Sequence, residues 1–319
     1  MFDFPATLNA ANGPRRAPPL GCATLLVLAL QAAPAAAANY GLRVWAGSHF
    51  DGGDFNAPVV RQVSNSFANA IGVTSAQAWG QVEAGGLHVW STAQTALSTG
   101  QGSLSMESSV IASFNDAFTP VVPQAWAGLP GVLTVALDVS GSLVATGGRT
   151  SGAADGYGWN AFSTWDAALT LYSGPSSAKI ERGRTAASDR SQGSVAEGDG
   201  PGRFIVSMPV ILGDPVGFIL QGELRAFAGA AMGLQEPIAL TSAASANLGN
   251  TIAWGGIVSL VDGNGQAVPV LSALSFDGIV DYRLPYVAAV PEAPPAALLA
   301  AGLVTLALLR RRSARNRTA

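Results

Sequence analysis

Few side chains in this chain have the type and spacing that chemistry needs. Histidine occurs at His49 and His88 only. A metal site built from imidazoles needs several ligands at short spacing. These two stand apart on predicted strands, as ordinary surface or core histidines do. No Gly-x-Ser-x-Gly elbow names a nucleophilic serine, and no phosphate-binding loop or dinucleotide fingerprint is present. Carboxylates leave one catalytic option. Asp51 with Asp54, or Asp277 with Asp281, could act as acid and base of a glycosidase. Such pairs arise freely among many acidic side chains, and nothing in the sequence sets either pair in a cleft. The expectation is therefore a protein without catalytic residues, metal or cofactor, and not an enzyme.

Aromatic side chains offer a second chemistry, the stacking of rings on sugar faces. The chain has seven tryptophans. Trp45, Trp126, Trp159, Trp165 and Tyr157 could serve in this way, with core packing as the competing role. Tyr157, Trp159 and Trp165 are the candidate ligand-binding aromatics. The run Tyr157-Gly158-Trp159 is expected to be the exposed part, because it lies beside glycine and near a long polar segment.

The elements that must position these groups read as strands. Residues 39–48 alternate, with Leu42, Val44 and Ala46 on one face and Arg43 and Trp45 on the other. Residues 51–56 (Asp-Gly-Gly-Asp-Phe-Asn) are expected to form a polar turn; their spacing misses the EF-hand pattern. Residues 59–76 are ambiguous. Residues 79–83 and 87–91, joined by Ala84-Gly85-Gly86, predict a β-hairpin. Residues 102–114 place Leu104, Met106, Ser108, Val110, Ala112 and Phe114 on one face, and residues 131–145 do the same for Leu133, Val135, Leu137 and Val139. Residues 157–172 predict a strand, with a short helix as the alternative. Residues 173–203 are polar and rich in Gly and Ser, with mixed charges, and are expected to be a long disordered loop. Strands are expected again at 204–210, 216–228 and 248–261, with a hairpin turn at Asp262-Gly263-Asn264-Gly265. Residues 267–274 and 282–286 are expected to close the domain. Short strands with regular turns and no long amphipathic helix predict an all-β, jelly-roll-like β-sandwich over residues 39–289.

Bulk composition supports an exported protein. Only 12% of residues are charged, with 38 Gly and 19 Pro, a balance that suits a β-rich secreted chain. Between Asn39 and Val290 there are 10 basic and 18 acidic side chains, a net of −8. Such a body is a poor partner for phosphate backbones, so nucleic acid is excluded as a ligand. Cys22 is the single cysteine, which excludes disulfides and thiolate metal sites from the body.

Both ends carry targeting signals. Arg15 and Arg16 precede an apolar run at 20–30 and an alanine-rich stretch at 32–38. Together they make a secretory signal peptide over residues 1–38, a substrate of signal peptidase and the general export machinery. The other end reads Val290-Pro291-Glu292-Ala293-Pro294-Pro295, then an uncharged apolar run at 296–309, then Arg310-Arg311-Arg312. Fourteen apolar residues, or sixteen counted from Pro294, make a short transmembrane helix beside the usual length of about 20. The arginines act as a basic stop that stays cytoplasmic.

This tripartite end resembles the PEP-CTERM sorting signal of exported bacterial proteins. The resemblance rests on Val290, Pro291 and Glu292, the short apolar helix, and the Arg-rich tail at 310–317; Ala293 stands where the family has a second proline. The stretches 114–119, 131–143, 246–252 and 262–268 are similar to recurring segments of the bodies of such proteins. The resemblance implies recognition by an exosortase-type protease and transient anchoring in the inner membrane. Release to, or attachment at, the cell surface would follow. Its context would be exopolysaccharide and biofilm or floc formation. Two other functions compete: a carbohydrate-binding module at the cell surface, and a carboxylate-dependent surface hydrolase.

Overall fold

The computed structural model describes residues 38–98, 102–151, 157–189, 193–232 and 239–287. Apart from Ala38, the expected leader at 1–38 lies outside the described residues. So does the sorting segment at 290–319, with Val290, Pro291, Glu292, Arg310, Arg311 and Arg312.

The described chain is all-β. Its strands are β1 (Asn39–Ala46), β2 (His49–Phe55), β3 (Val59–Asn69), β4 (Gly72–Glu83), β5 (Gly86–Leu97), β6 (Gly102–Phe118), β7 (Pro130–Ser151), β8 (Tyr157–Ser173), β9 (Ser176–Asp189), β10 (Gly193–Gly198), β11 (Gly202–Ile211), β12 (Val216–Met232) and β13 (Ala239–Asp262). They pair antiparallel in two sheets. One has seven strands in the order β10-β9-β8-β12-β6-β1-β2, and the other six in the order β11-β7-β13-β5-β4-β3. The sheets face each other as a sandwich, and the apolar residue of each alternating pair points between them. In β1 the inward set is Tyr40, Leu42, Val44 and Ala46. In β6 it includes Leu104, Ser108, Val110, Ala112 and Phe114.

The core changes character along its length. At one end Phe114, Phe118, Phe218, Trp254 and Tyr282 are all buried. Their rings meet at centroid separations of 4.7–6.2 Å. Burial of each large side chain there contributes about 1.5–3 kcal/mol. A second cluster is made of alanines, among them Ala46, Ala76, Ala93, Ala161, Ala226 and Ala244. Side chains this small let hydroxyl groups reach across. Ser91 Oγ donates to Ser108 O at 3.0 Å, Thr95 Oγ1 to Ala228 O at 2.9 Å, Ser242 Oγ to Asn160 O at 2.9 Å and Ser163 Oγ to Val144 O at 3.1 Å. Each of these bonds runs from one sheet to the other.

Three sequence expectations need correction. The polar turn at 51–56 is instead β2, which pairs with β1 from Ala46↔His49 to Tyr40↔Phe55. The turn lies earlier, at Gly47-Ser48, where Gly47 has φ +56°. An edge strand satisfies only one neighbour, so β2 forms without apolar alternation. The long loop at 173–203 is largely β9, β10 and the start of β11. These strands at and next to the sheet edges bury little beyond Ile180, Ala186 and Ser188. Their charges pair on the surface, Lys179 with Glu181 and Arg182 with Asp199. Residues 267–274 form isolated bridges, Val261↔Ala267 and Val121↔Ser272 among them, rather than a strand. The ambiguous segment 59–76 is β3 and the start of β4, and 157–172 is a strand throughout.

Candidate functional site: the solvent face of the six-stranded sheet

The predicted hairpin forms as β4 and β5, turning at Ala84-Gly85 with Gly85 at φ +83°. The turn fixes the register: Glu83 opposes Gly86, Gln81 opposes His88, and Trp79 opposes Trp90. Ala78, Gly80 and Val82 point inward, as do Leu87, Val89 and Ser91. The two tryptophans therefore share the outer face. Directly opposed residues have Cβ atoms about 4.5–5.5 Å apart, so the two side chains are cross-strand neighbours on one face, without a ring–ring contact between them. Both are half-buried. Neither ring nitrogen is among the buried unpartnered atoms, and neither N–H has a protein acceptor among the described residues. Gln62 of β3 opposes Trp79, and Asn247 of β13 opposes Trp90. Gln77, Gln81 and Gln94 complete a border of amides on the same face. An amide donates and accepts at once. Two such rings on one face, bordered by amides, are suited to the stacked faces and hydroxyls of a sugar polymer.

One edge of this platform is closed by residues from beyond β13. Tyr286 donates its hydroxyl to Glu83 Oε2 at 2.6 Å, and His88 Nε2 lies 3.3 Å from the Tyr286 hydroxyl oxygen. The amide of Gln81 donates to Glu83 as well. The Tyr286 ring lies on Gly86, where a Cβ would fall 2.5 Å from it. Burial, and then the bond to Glu83, push the Tyr286 hydroxyl well above the usual phenol range, so it stays a donor. Further in, Trp254 Nε1 donates to Tyr282 O at 2.8 Å, and the Tyr282 hydroxyl donates to buried Asp116 at 2.5 Å. Burial raises the Asp116 carboxyl, with the Tyr282 bond opposing.

The outer face of the seven-stranded sheet is different. Asp166 of β8 directly opposes Glu223 of β12. Burial, then the charges of Glu223 and Glu181, raise the Asp166 carboxyl to about 6, with Arg225 opposing. Arg225 Nε contacts Glu223 at 2.9 Å. One step along, Phe162 and Phe227 stack at 5.2 Å and 13°. A raised carboxyl is what a general acid needs, and this pair was hidden in sequence because its members are 57 positions apart.

The carboxylates named from sequence have structural partners instead. Asp51 pairs with Arg61 at 3.4 Å and Asp54 with Arg43 at 3.7 Å. Hydrogen bonds, first from Ser275, hold Asp277 below the usual range, and bonds from Arg283 do the same for Asp281. His49 contacts Ser64 O at 2.9 Å.

Of the aromatics named from sequence, those of β8 face inward. Trp165 is 0% exposed, so its ring offers no face to a sugar. Trp159 shares its inward side of β8 and packs on Gly147 of the opposite sheet, where a Cβ would fall 2.0 Å from the ring. Tyr157 stacks on Trp159 at 6.1 Å and 15°, with Arg149 5.5 Å above it. Tyr157 and Trp159 are thus half-buried at the end of the sandwich rather than presented on its surface. Trp45 and Trp126 are half-buried too, Trp45 against Phe50 at 5.1 Å. No protein-family model matches this chain, and no curated protein matches it in sequence.

Proposed function

We propose that this chain is an exported cell-surface protein whose β-sandwich binds exopolysaccharide without catalysis. The observation that carries the binding reading is the pair Trp79 and Trp90, directly opposed across β4 and β5 on an outer face and bordered by amides. Strand order supports a jelly roll. The run β5-β13-β7-β11 of one sheet faces β6-β12-β8-β9 of the other, with successive strands such as β5 and β6, β7 and β8, or β12 and β13 in opposite sheets. That architecture recurs in lectin domains, an analogy of fold and not of activity.

The export part rests on the sequence: the signal peptide at 1–38, the sorting motif at Val290, Pro291 and Glu292, the short helix at 296–309, and Arg310 to Arg312. Its partners are signal peptidase, the export machinery, an exosortase-type protease and, through the helix, the membrane. Removing residues 290–319 should change the size and location of the product in its own cells. An unchanged size and location would overturn the sorting reading. For binding, the full chain should be retarded in gels containing the host's exopolysaccharide, and Trp79→Ala with Trp90→Ala should restore free mobility. Free mobility of the wild-type chain in every polysaccharide tried would end the binding reading.

The raised carboxyl of Asp166 favours a second reading, a surface hydrolase. Release of reducing ends from those polysaccharides, abolished by Asp166→Asn, would establish it.

A further inference from the structure

One end of the sandwich carries an apolar surface that belongs to neither sheet face. Leu271, Leu274, Phe276, Ile279, Leu284 and Val287 are all large, apolar and 45–80% exposed. Such groups are ordinary when scattered singly and call for an occupant when they gather. Here they gather on the segment that closes the ends of the strands. Val121 N donates to Ser272 O at 2.7 Å, Phe118 bridges Ser275, and Tyr286 N donates to Trp254 O at 2.8 Å.

Two of the six stand on a stiff tip. Residues 273–282 double back, with Leu274 bridging Asp281 and Ser275 N donating to Val280 O at 2.7 Å. At the turn Gly278 has φ +76° and donates its N–H to Ser275 O at 2.8 Å. Ser275 Oγ and Asp277 Oδ1 each accept from Ile279 N at 3.1 Å, and Ser275 Oγ also accepts from Val280 N at 2.9 Å. The polar groups of the turn bond to one another, and Ala273 and Ser275 are buried. Phe276 and Ile279 project, Ile279 being the most exposed of the six. Projecting side chains on a rigid turn suit a soft medium that closes around them. Charge limits their depth: Asp281 is paired with Arg283, but the Asp277 carboxylate is exposed at the tip and must stay hydrated.

The course of the chain says what that medium is. β1 begins at this same end: Asn39 pairs with Asn115, next to Asp116, which accepts from the Tyr282 hydroxyl. Ala38 and Val287 therefore leave the body at one end. The apolar run 296–309 starts nine residues after Val287, at most about 30 Å of extended chain.

We propose that this end of the sandwich rests on a lipid membrane, with Phe276 and Ile279 inserted at the boundary between headgroups and acyl chains. The inference rests on the reading of 296–309 as a membrane segment. Insertion is by apolar contact. It needs no anionic headgroup, which a body of net charge −8 would avoid. The strands stand end-on to the membrane, and both sheet faces, Trp79 and Trp90 included, stay open to polymer.

Fluorescence in phosphatidylcholine vesicles tests this on the full chain carrying Cys22→Ser. A polarity-sensitive probe is attached at Ile279→Cys, at Val144→Cys midway along β7, or at Leu303→Cys in the apolar run. Lipid with a nitroxide just below the headgroup should quench the probe at 279 several-fold more than at 144. Phe276→Ser with Leu284→Ser, both at exposed positions, should weaken that quenching several-fold. Equal quenching at 279 and 144 overturns the proposal. Quenching at 279 that Phe276→Ser with Leu284→Ser leaves unchanged overturns it too, since the tip would then be near the membrane without entering it. Quenching that requires added phosphatidylglycerol overturns insertion by apolar contact. A blue-shifted probe at 279 without quenching by lipid would assign the tip to a second copy of the chain instead. Quenching at 303 but not at 279 refutes the tip and keeps the anchor; quenching at 279 but not at 303 supports the tip and refutes the anchor.

Discussion

The two solvent faces of the sandwich obey the same alternation but present opposite chemistry. On the six-stranded sheet the central row is Gln62, Trp79, Trp90 and Asn247, all uncharged. On the seven-stranded sheet the corresponding row is Arg43, Ile111, Glu223 and Asp166, three of the four charged, with Arg225 and Glu181 nearby. A row of rings and amides can take a neutral polymer by stacking without stripping water from an ion. The charged groups of the second row must be desolvated before anything can lie on them. The first face is cheaper to cover than the second.

The largest effect expected is on binding. Trp79→Ala with Trp90→Ala should lower polysaccharide affinity roughly tenfold to hundredfold, since each aromatic contact is worth about 0.5–1.5 kcal/mol beyond its area. Gel retardation of the full chain reads it, and an equal loss in Phe162→Ala with Phe227→Ala would break the contrast between faces. Next comes the edge of the neutral face. Tyr286→Phe removes the bond to Glu83 and should cost about 1.5 kcal/mol, the order of a bond to a charged group. Denaturant unfolding measures the loss, and faster proteolysis within residues 266–287 should accompany it.

A smaller effect belongs to the charged face and depends on pH. The folded-state value of Asp166 is raised from 3.8 to about 6. Its contribution is therefore most favourable below 3.8 and is lost as pH rises through about 6. Asp166→Asn should stabilise the chain at pH 7 by on the order of 1 kcal/mol, after allowance for solvent screening. The gain should vanish near pH 4. A gain independent of pH would mean that packing, not charge, is responsible. The smallest expected effect is none at all: Asp166→Asn should leave polysaccharide retardation as it is.

The inward faces of β1, β6 and β7 were plain in the sequence, because buried central strands must alternate. The edge strands β2 and β10, and β9 next to the edge, were not, because strands with small or polar inward residues have the composition of a loop. The platform itself was implicit. Once Ala84-Gly85 is taken as the hairpin turn, counting outward places Trp79 against Trp90. The same reasoning corrects Trp165, whose odd-numbered place in β8 it shares with the buried Leu169 and Leu171. What no local pattern contained was the pairing of strands distant in the chain, which brings Asp166 to Glu223 and leaves Arg184 beside Trp165.

The hydroxyl bonds that cross the alanine-lined part of the core bear on temperature. Attraction between apolar groups weakens on cooling, so the ring-filled end of the sandwich loses part of its hold in the cold. Ser91, Thr95, Ser163 and Ser242 join the sheets by directional bonds that do not draw on that force. In a cold habitat the alanine half would be the clasp, and the aromatic end the first to loosen.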